Sequence, residues 1–598
     1  MTSGLDINDP IVVAAFRSAL LHQGIAVLVL FVALLTAWSL ARRLAPPTPP
    51  APAAEPGWRR LLRIGFGLLW LIDAALQAQP AMPAGLPSQV IGPAAAASPP
   101  WVQHLVNWAG TAWSYHPVQA AAATVWIQAG IGLWLLCAPR GALSRVAGLA
   151  SVGWGLVIWV FGEAFGGIFA PGLSWLTGAP GGVLFYCAAG ALIALPARHG
   201  RAPWLGQLLL GGMGLFLAGI AVLQAWPGRD SWQGTLHGRP GPTAAMAAAM
   251  AATPQPHALS AVAGWFASAA RGHGFAVNLA VVAVLAVTGL GLTSGALPGS
   301  LARATPRLLI LRAAALGLTF AGLATWVLVQ DLGVFGGLGT DPNSMIPMIL
   351  LVLAGYLART GHLDAADPVP GPALAAGRLR VPAAGTVLSV GAACVVALGA
   401  VPMAAAQASP AASPILARAI DGPAAPLHSP APGFTLTDQH GRPVSLASLR
   451  SKVVLLTFLD PQGGAADPVV AQEFRQADLL LGAAASRVEL VAVNVNPLRT
   501  AVGYPQAFDQ KQRLAGMRDW LFLTGPPARL RAVWRQYGIV SRTRPGGTLL
   551  GHSWAGFVIA PNGRMRDELN LTPGPATAAI RSSFAAELAA YARRALTF

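Results

Sequence analysis

Val453-Val-Leu-Leu-Thr-Phe-Leu-Asp-Pro-Gln-Gly-Gly-Ala-Ala-Asp-Pro468 opens with seven residues that are apolar everywhere except Thr457. An unbroken apolar run of that length, closed by a Pro/Gly loop, predicts a strand buried on both faces. Residues 468–484 follow with the apolar spacing of a helix, and Val488-Glu-Leu-Val-Ala-Val-Asn494 is a second core strand. Upstream, Phe434 to Leu446 predicts a hairpin turning at His440-Gly441. Downstream come a helix over 527–537, the strand Gly556-Phe-Val-Ile-Ala560 with a Pro561-Asn-Gly563 turn, and an amphipathic helix over 575–595. Strand, helix, strand, then helix and hairpin is the order of a thioredoxin-like α/β domain.

Working outward, the rest of the chain has a different composition. Of 598 residues, 54% are hydrophobic and only 10% charged, too few to cover a soluble protein of this length. The mean hydropathy is +0.56. Apolar runs of spanning character occur at 20–40, 61–79, 119–137, 144–162, 178–196, 204–225, 275–293, 309–330, 345–358 and 383–406, so about ten spans are expected, the ninth of them short. The first run is full length and followed by Arg42-Arg43, which argues against a cleavable signal peptide.

The net charge of +17 rests on arginine, the only lysines being Lys452 and Lys511. No basic stripe interleaved with aromatics is present, which excludes nucleic acid as a partner. The arginines lie in alternate connections: Arg42, Arg43, Arg59, Arg60 and Arg63; Arg140 and Arg145; Arg198 and Arg201; Arg303, Arg307 and Arg312; Arg359, Arg378 and Arg380. The loops 80–118, 163–177 and 331–344 contain no Lys or Arg. By the positive-inside rule the N-terminus is outside a bacterial-type cytoplasmic membrane, and an even number of spans puts the C-terminal domain outside as well. Cys137, Cys187 and Cys394, the only cysteines, each fall in an apolar run and read as small core residues.

Two stretches of the membrane part repeat. Leu76-Gln-Ala-Gln-Pro80 answers Leu223-Gln-Ala-Trp-Pro227, and Trp108 and His116 answer Trp265 and His273. Gly132 and Leu133 answer Gly289 and Leu290, while Thr177-Gly-Ala-Pro180 answers Thr340-Asp-Pro342. The period indicates a duplicated four-helix unit. These units resemble the DoxX-like four-helix membrane family, members of which are linked to quinone-dependent oxidoreductases. Polar residues in or beside spans are where function is sought. They are Asp73, inside the second span, and Glu163, Gln330 and Asp331 at the outer edge; each has a plain structural alternative as a helix-pairing or turn residue. Gln77 and Gln224 read as interhelical bonds. The outer histidines His104, His116, His237, His257 and His273 show no helical metal-ligand spacing.

The C-terminal stretches Phe434–Leu449, Val453–Pro461, Val491–Thr500 and Leu523–Tyr537, with Gly551-His-Ser553 ahead of Phe557-Val-Ile-Ala-Pro-Asn-Gly563, resemble the Sco (SenC) family. Members of that family deliver copper to, or reduce thiols in, the copper centre of cytochrome oxidase. The resemblance implies a Cys-x-x-x-Cys loop after the first core strand and one distant histidine. Here the two cysteine positions fall on Gly463 and Asp467, and the histidine is retained as His552. Residues 428–598 contain no cysteine, so dithiol exchange by this domain alone is chemically excluded. One carboxylate with one imidazole is a poor copper site.

The fold expected is therefore a polytopic α-helical membrane protein with a C-terminal thioredoxin-like domain. Its parts are an N-terminal span and loop (1–57), two four-helix units (58–200 and 201–362), a loop, last span and Ala/Pro-rich tether (363–427), and the Sco-like domain (428–598). Three functions fit. The first is a non-catalytic binding or assembly partner of a respiratory copper-oxidase or electron-transfer system. The second is a quinone-linked membrane oxidoreductase subunit with Asp73 or Glu163 at the quinone. The third is a transporter with an outer receptor domain. The reading adopted is the first, with no resident cofactor, with copper at His552 and quinone in the membrane units kept as the competing ligands, and with no catalytic residue assigned.

Overall fold

The computed structural model describes residues 7–44, 55–170, 178–196, 203–229, 231–232, 241–253, 255–298, 306–335, 338–361, 383–408, 413–421, 425–427, 429–464, 466–543, 549–571 and 584–597. They gather into two units, essentially residues 12–410 and 411–598. Arg198, Arg201, His237, Arg303, Arg378 and Arg380 lie outside the described residues, as do residues 575–583 of the expected last helix.

The first unit is helical. Its elements are α1 (Pro10–Leu44), α2 (Gly57–Gln77), α3 (Met82–Leu86), α4 (Gly92–Ala95), α5 (Pro100–Tyr115), α6 (Pro117–Cys137), α7 (Gly141–Val157), α8 (Val183–Ala194), α9 (Pro203–Ala225), α10 (Pro242–Ala251), α11 (His257–Gly272), α12 (Gly274–Ala296), α13 (Pro306–Leu328), α14 (Met345–Thr360) and α15 (Ala384–Gln407). Among the described residues seven helices are long and apolar enough to cross a membrane: α1, α6, α7 with its continuation to Gly162, α9, α12, α13 and α15. The other three expected spans fall on α2, α8 and α14. The α2 helix passes only together with the segment to Ala95, from which it bends by 97°. At 1.5 Å per residue, the 12-residue α8 and 16-residue α14 rise about 18 and about 24 Å, short of the ~30 Å hydrocarbon core. The expected run at 178–196 loses its beginning because Gly178 and Gly181 take φ of +94° and +111°, which helical backbone does not allow.

The same local structures recur along α2–α8 and α9–α14. His116 (φ −134°, ψ 56°) separates α5 from α6, and His273 (φ −128°, ψ 41°) separates α11 from α12. A Cβ on Gly132 would stand 2.7 Å from the Gly67 carbonyl oxygen, and one on Gly289 would stand 2.9 Å from that of Gly214. Both helix pairs, α2/α6 and α9/α12, therefore approach closely enough to require glycine. The Trp159 Nε1–H donates to the Pro180 carbonyl at 2.8 Å, and the Trp326 Nε1–H donates to the Pro342 carbonyl at 2.8 Å. Left-handed residues Ala164, Phe165 and Gly166 correspond to Asp331, Leu332 and Gly333.

The second unit begins with α16 (Pro414–Asp421) and continues as β1 (Ala425–Pro426), β2 (Thr435–Thr437), β3 (Pro443–Ser445), β4 (Val453–Leu459), α17 (Ala466–Leu481), β5 (Val488–Asn494), α18 (Gly503–Lys511), β6 (Trp520–Leu523), α19 (Pro527–Gln536), β7 (Ser541–Thr543), β8 (Leu549–His552), β9 (Ala555–Ile559), β10 (Met565–Asn570) and α20 (Phe584–Ala595). Six strands form one mixed sheet in the order β1-β10-β9-β4-β5-β6. Strands β4, β5 and β6 are parallel, and β9 and β10 return antiparallel. Every residue of β4 and β5 is buried, as the unbroken apolar runs require. Val453, Leu455 and Leu459 pack under Phe474 of α17 and Leu588 of α20. On the other face Val454, Leu456 and Phe458 pack against Leu530 and Trp534 of α19. The β2–β3 hairpin turns at Gly441 (φ +83°), as expected. The edge strand β1 pairs with β10 from within the stretch read as tether.

Candidate functional site

In a parallel sheet, functional side chains collect beyond the carboxyl ends of the strands. At the end of β4 the chain leaves as Asp460-Pro-Gln-Gly463, a turn closed by the Gly463 N–H donating to the Asp460 carbonyl at 3.0 Å. The Asp460 carboxylate Oδ1 accepts from the Gln462 N–H at 2.9 Å and from the Asn496 side-chain amide at 3.0 Å. Asn496 follows β5, and its own N–H donates to Asn494 Oδ1 at 2.8 Å. The loop is thus bound to the end of the neighbouring strand.

Asp467 stands in the first turn of α17 and points inward, only 3% exposed. Its Oδ1 accepts from the Asp460 N–H at 2.7 Å and lies 3.1 Å from His552 Nε2 at the end of β8. His552 Nδ1 donates to the Ser553 carbonyl at 2.9 Å, and the ring packs against Trp554 with centroids 4.2 Å apart and planes tilted by 45°. Both nitrogens of His552 therefore face oxygen atoms of neighbouring groups. The pair is almost fully buried. Asp467 Oδ2 occupies the space beside Gly463: a Cβ on Gly463 would fall 1.8 Å from it. The two residues standing where the resemblance places cysteines are therefore sterically dependent on each other.

This donor set does not suit copper. It has no thiolate, a single carboxylate, and an imidazole whose two nitrogens are engaged. Among the described residues no group of three or more His, Cys, Asp and Glu is arranged to hold a metal ion.

Of the membrane residues singled out from sequence, Asp73 is 3% exposed, on the buried face of α2 beside Tyr186. Glu163 follows α7, and its Oε1 accepts from the Val183 N–H at 3.2 Å, the first residue of α8. Gln330 holds the matching place after α13 and donates to Ser344 Oγ at 3.1 Å, just before α14. Burial, with Asp341 close by, pushes the Glu163 carboxyl up to about 8, against the opposing pull of the Val183 and Gly182 N–H groups. Glu163 and Gln330 line one cavity; Asp73 and Asp331 are not among its walls. Asp331 is buried in a left-handed turn (φ +50°). Sequence reasoning missed Asp341 and Asp460. The first sits in a Thr-Asp-Pro turn noted only as a repeat, and the second was read as the loop's opening residue.

Residues 425–584 match the family model described as SCO1/SenC. Nothing among the curated proteins matches the chain. Solved structures similar to the C-terminal part include copper-bound ScoI of Bradyrhizobium japonicum, at 22% identity over 28% of this chain and 100% of that one, with a TM-score of 0.24. Apo Sco1 of Thermus thermophilus is 25% identical over 29% of this chain and 96% of its own, with a TM-score of 0.24. Copper-bound ScoI of Arabidopsis thaliana is 16% identical over 28% and 99%, with the same TM-score of 0.24. The C-terminal part of this largely helical chain, residues 425–584, is a Sco-like domain.

Proposed function

We propose that the protein is a membrane-anchored binding or assembly partner of a respiratory copper-oxidase system, acting through a Sco-like domain that has given up thiol and copper chemistry. The observation that carries this reading is the coincidence of a SCO1/SenC match with a site closed by its own side chains. A fold kept around an occupied, thiol-free loop is suited to recognition rather than to metal transfer. The domain is read as outside the membrane, with the N-terminus outside too. That topology follows the arginine distribution and takes α2, α8 and α14 as spans beside the seven long helices, ten in all. Residues 58–200 and 201–362 are read as two DoxX-like units, a view supported by the paired glycine contacts and paired tryptophan bonds.

The test is affinity purification of the full-length protein from its native membrane in mild detergent, with identification of retained subunits. Recovery of copper-oxidase or electron-transfer subunits, reduced by substitutions at the exposed residues Leu498 and Val540 beyond the β4 and β5 ends, is expected. Recovery of the protein alone would overturn the reading. A quinone-linked reading of the membrane units rests on the buried Asp73; stoichiometric quinone in the purified protein, lost in Asp73→Asn, would favour it.

A further inference from the structure

Between the loop that follows α7 and the loop that follows α13 lies a cavity of about 400 Å³, within the range of small-molecule sites. Its walls pair equivalent positions of the two repeats: Glu163 with Gln330, Gly166 with Gly333, and Gly182 with Ser344. Sites at such repeat interfaces are a recurrent feature of membrane proteins.

The charge of the walls is one-sided. Glu163 and Asp341 contribute two carboxylates, and among the described residues no Lys, Arg or His lines the cavity. An anion would ordinarily be drawn to the N-termini of α8 and α14, which begin at this cavity. At α8 the first of those donors is already engaged, Glu163 Oε1 accepting from Val183 N–H, and just before α14 Asp341 Oδ1 accepts from Asn343 N–H at 2.7 Å, which sets a carboxylate beside that terminus. Glu163 Oε2 and Gln330 Oε1 are buried oxygens with no hydrogen-bond partner among the described residues, an arrangement that calls for a donor. The remaining walls include Met246, Met250 and Phe335, which suit a hydrocarbon body and, through the ring, a cation. A bare metal ion fits poorly, since no three-ligand group is present among the described residues.

We propose that this cavity binds a small organic cation, a protonated amine carrying a short hydrocarbon body. The ammonium lies between Glu163 and Asp341, and the hydrocarbon lies against the methionines and Phe335. Gln330 holds the place where the second repeat would carry a further carboxylate. This inference is independent of the C-terminal domain and its partner.

The experiment is calorimetric titration of the full-length protein in lipid nanodiscs with n-butylammonium chloride, with sodium butyrate, sodium chloride and magnesium chloride as separate titrants. Saturable binding is expected for butylammonium alone, about tenfold weaker in Glu163→Gln or Asp341→Asn. Gln330→Glu adds a wall carboxylate and is expected to tighten binding about threefold or more; as a gain, it reads the site even if a loss variant misfolds. Affinity in the wild type should also rise from pH 7 to 9 as Glu163 ionises beside Asp341 and Tyr186, and stay flat in Glu163→Gln. Equal binding of butyrate, a magnesium signal of the same strength, or butylammonium binding that none of the three substitutions changes would overturn the proposal.

Discussion

Replacing Gly463 by alanine should damage the C-terminal domain only while Asp467 is present. The new Cβ would stand 1.8 Å from Asp467 Oδ2, well inside contact distance, so the carboxylate must swing away. Doing so breaks the bond from the buried Asp460 N–H and the pairing with His552. A buried donor left without a partner costs about 1–3 kcal/mol, and losing the His552 pairing adds a similar amount, so Gly463→Ala should cost about 3 kcal/mol. Asp467→Ala breaks the same two interactions and should also cost about 3 kcal/mol. In the double variant the alanine methyl enters the space the carboxylate has left. The total should then stay near about 3 kcal/mol instead of about 6, a coupling of about 3 kcal/mol. The assay is urea unfolding of residues 411–598, which carry their own cores on both sheet faces, followed by tryptophan fluorescence. Additive losses, with coupling below about 0.5 kcal/mol, would refute the reasoning that one side chain fills the other's place.

Asp509 offers a pH test in the same unit. Burial pushes its carboxyl up to about 7, partly offset by the bond from Trp520 Nε1–H at 2.9 Å. A folded-state value above the unfolded 3.8 means the native state binds more protons, so this contribution is fully present below about pH 4 and is lost as pH rises through about 7. The shift caps the effect at about 4 kcal/mol, and relaxation around the site should reduce it to about 2. Asp509→Asn should therefore stabilise the domain by about 2 kcal/mol at pH 8 and leave it unchanged at pH 4, read by urea midpoints; equal gains at both pH values would contradict this. In the helical unit, Gly132→Val and Gly289→Val should each abolish the monodisperse fraction in size-exclusion chromatography, because each places carbon within 3 Å of a facing carbonyl oxygen. A normal profile from either one would deny the equivalence of the two helix pairs.

Where sequence and structure agree, the physical cause is simple. Strands β4 and β5 are legible because burial on both faces demands unbroken apolar runs, and the turns at Gly441 and Gly563 (φ +83° and +78°) because only glycine takes that backbone readily. What escaped was short or polar. Strand β1 has two residues and pairs only through its backbone, so no side-chain pattern announces it. Strands β7 and β8 form a separate two-stranded ribbon that brings His552 to Asp467, a long-range meeting that no local spacing encodes. The run at 345–358 already read as short, and α14 is; that α8 is shorter still was not visible, since hydropathy does not register where the left-handed Gly178 and Gly181 stop the winding. Gly463 and Asp467 stood out only through the resemblance to the Sco family; that they depend on each other required side-chain geometry.

The most direct measurement is copper stoichiometry in residues 411–598 after loading with Cu(I) and removal of excess metal, compared among the wild type, His552→Ala, and the paired substitution Gly463→Cys with Asp467→Cys. With Asp467 holding His552 and filling the space beside Gly463, the wild type and His552→Ala should be equally devoid of tightly held copper. The cysteine pair frees the imidazole and supplies two thiolates, a set that suits copper, and should take up one equivalent. One tightly bound equivalent in the wild type, lost in His552→Ala, would contradict the view that this Sco-like site is closed by its own side chains.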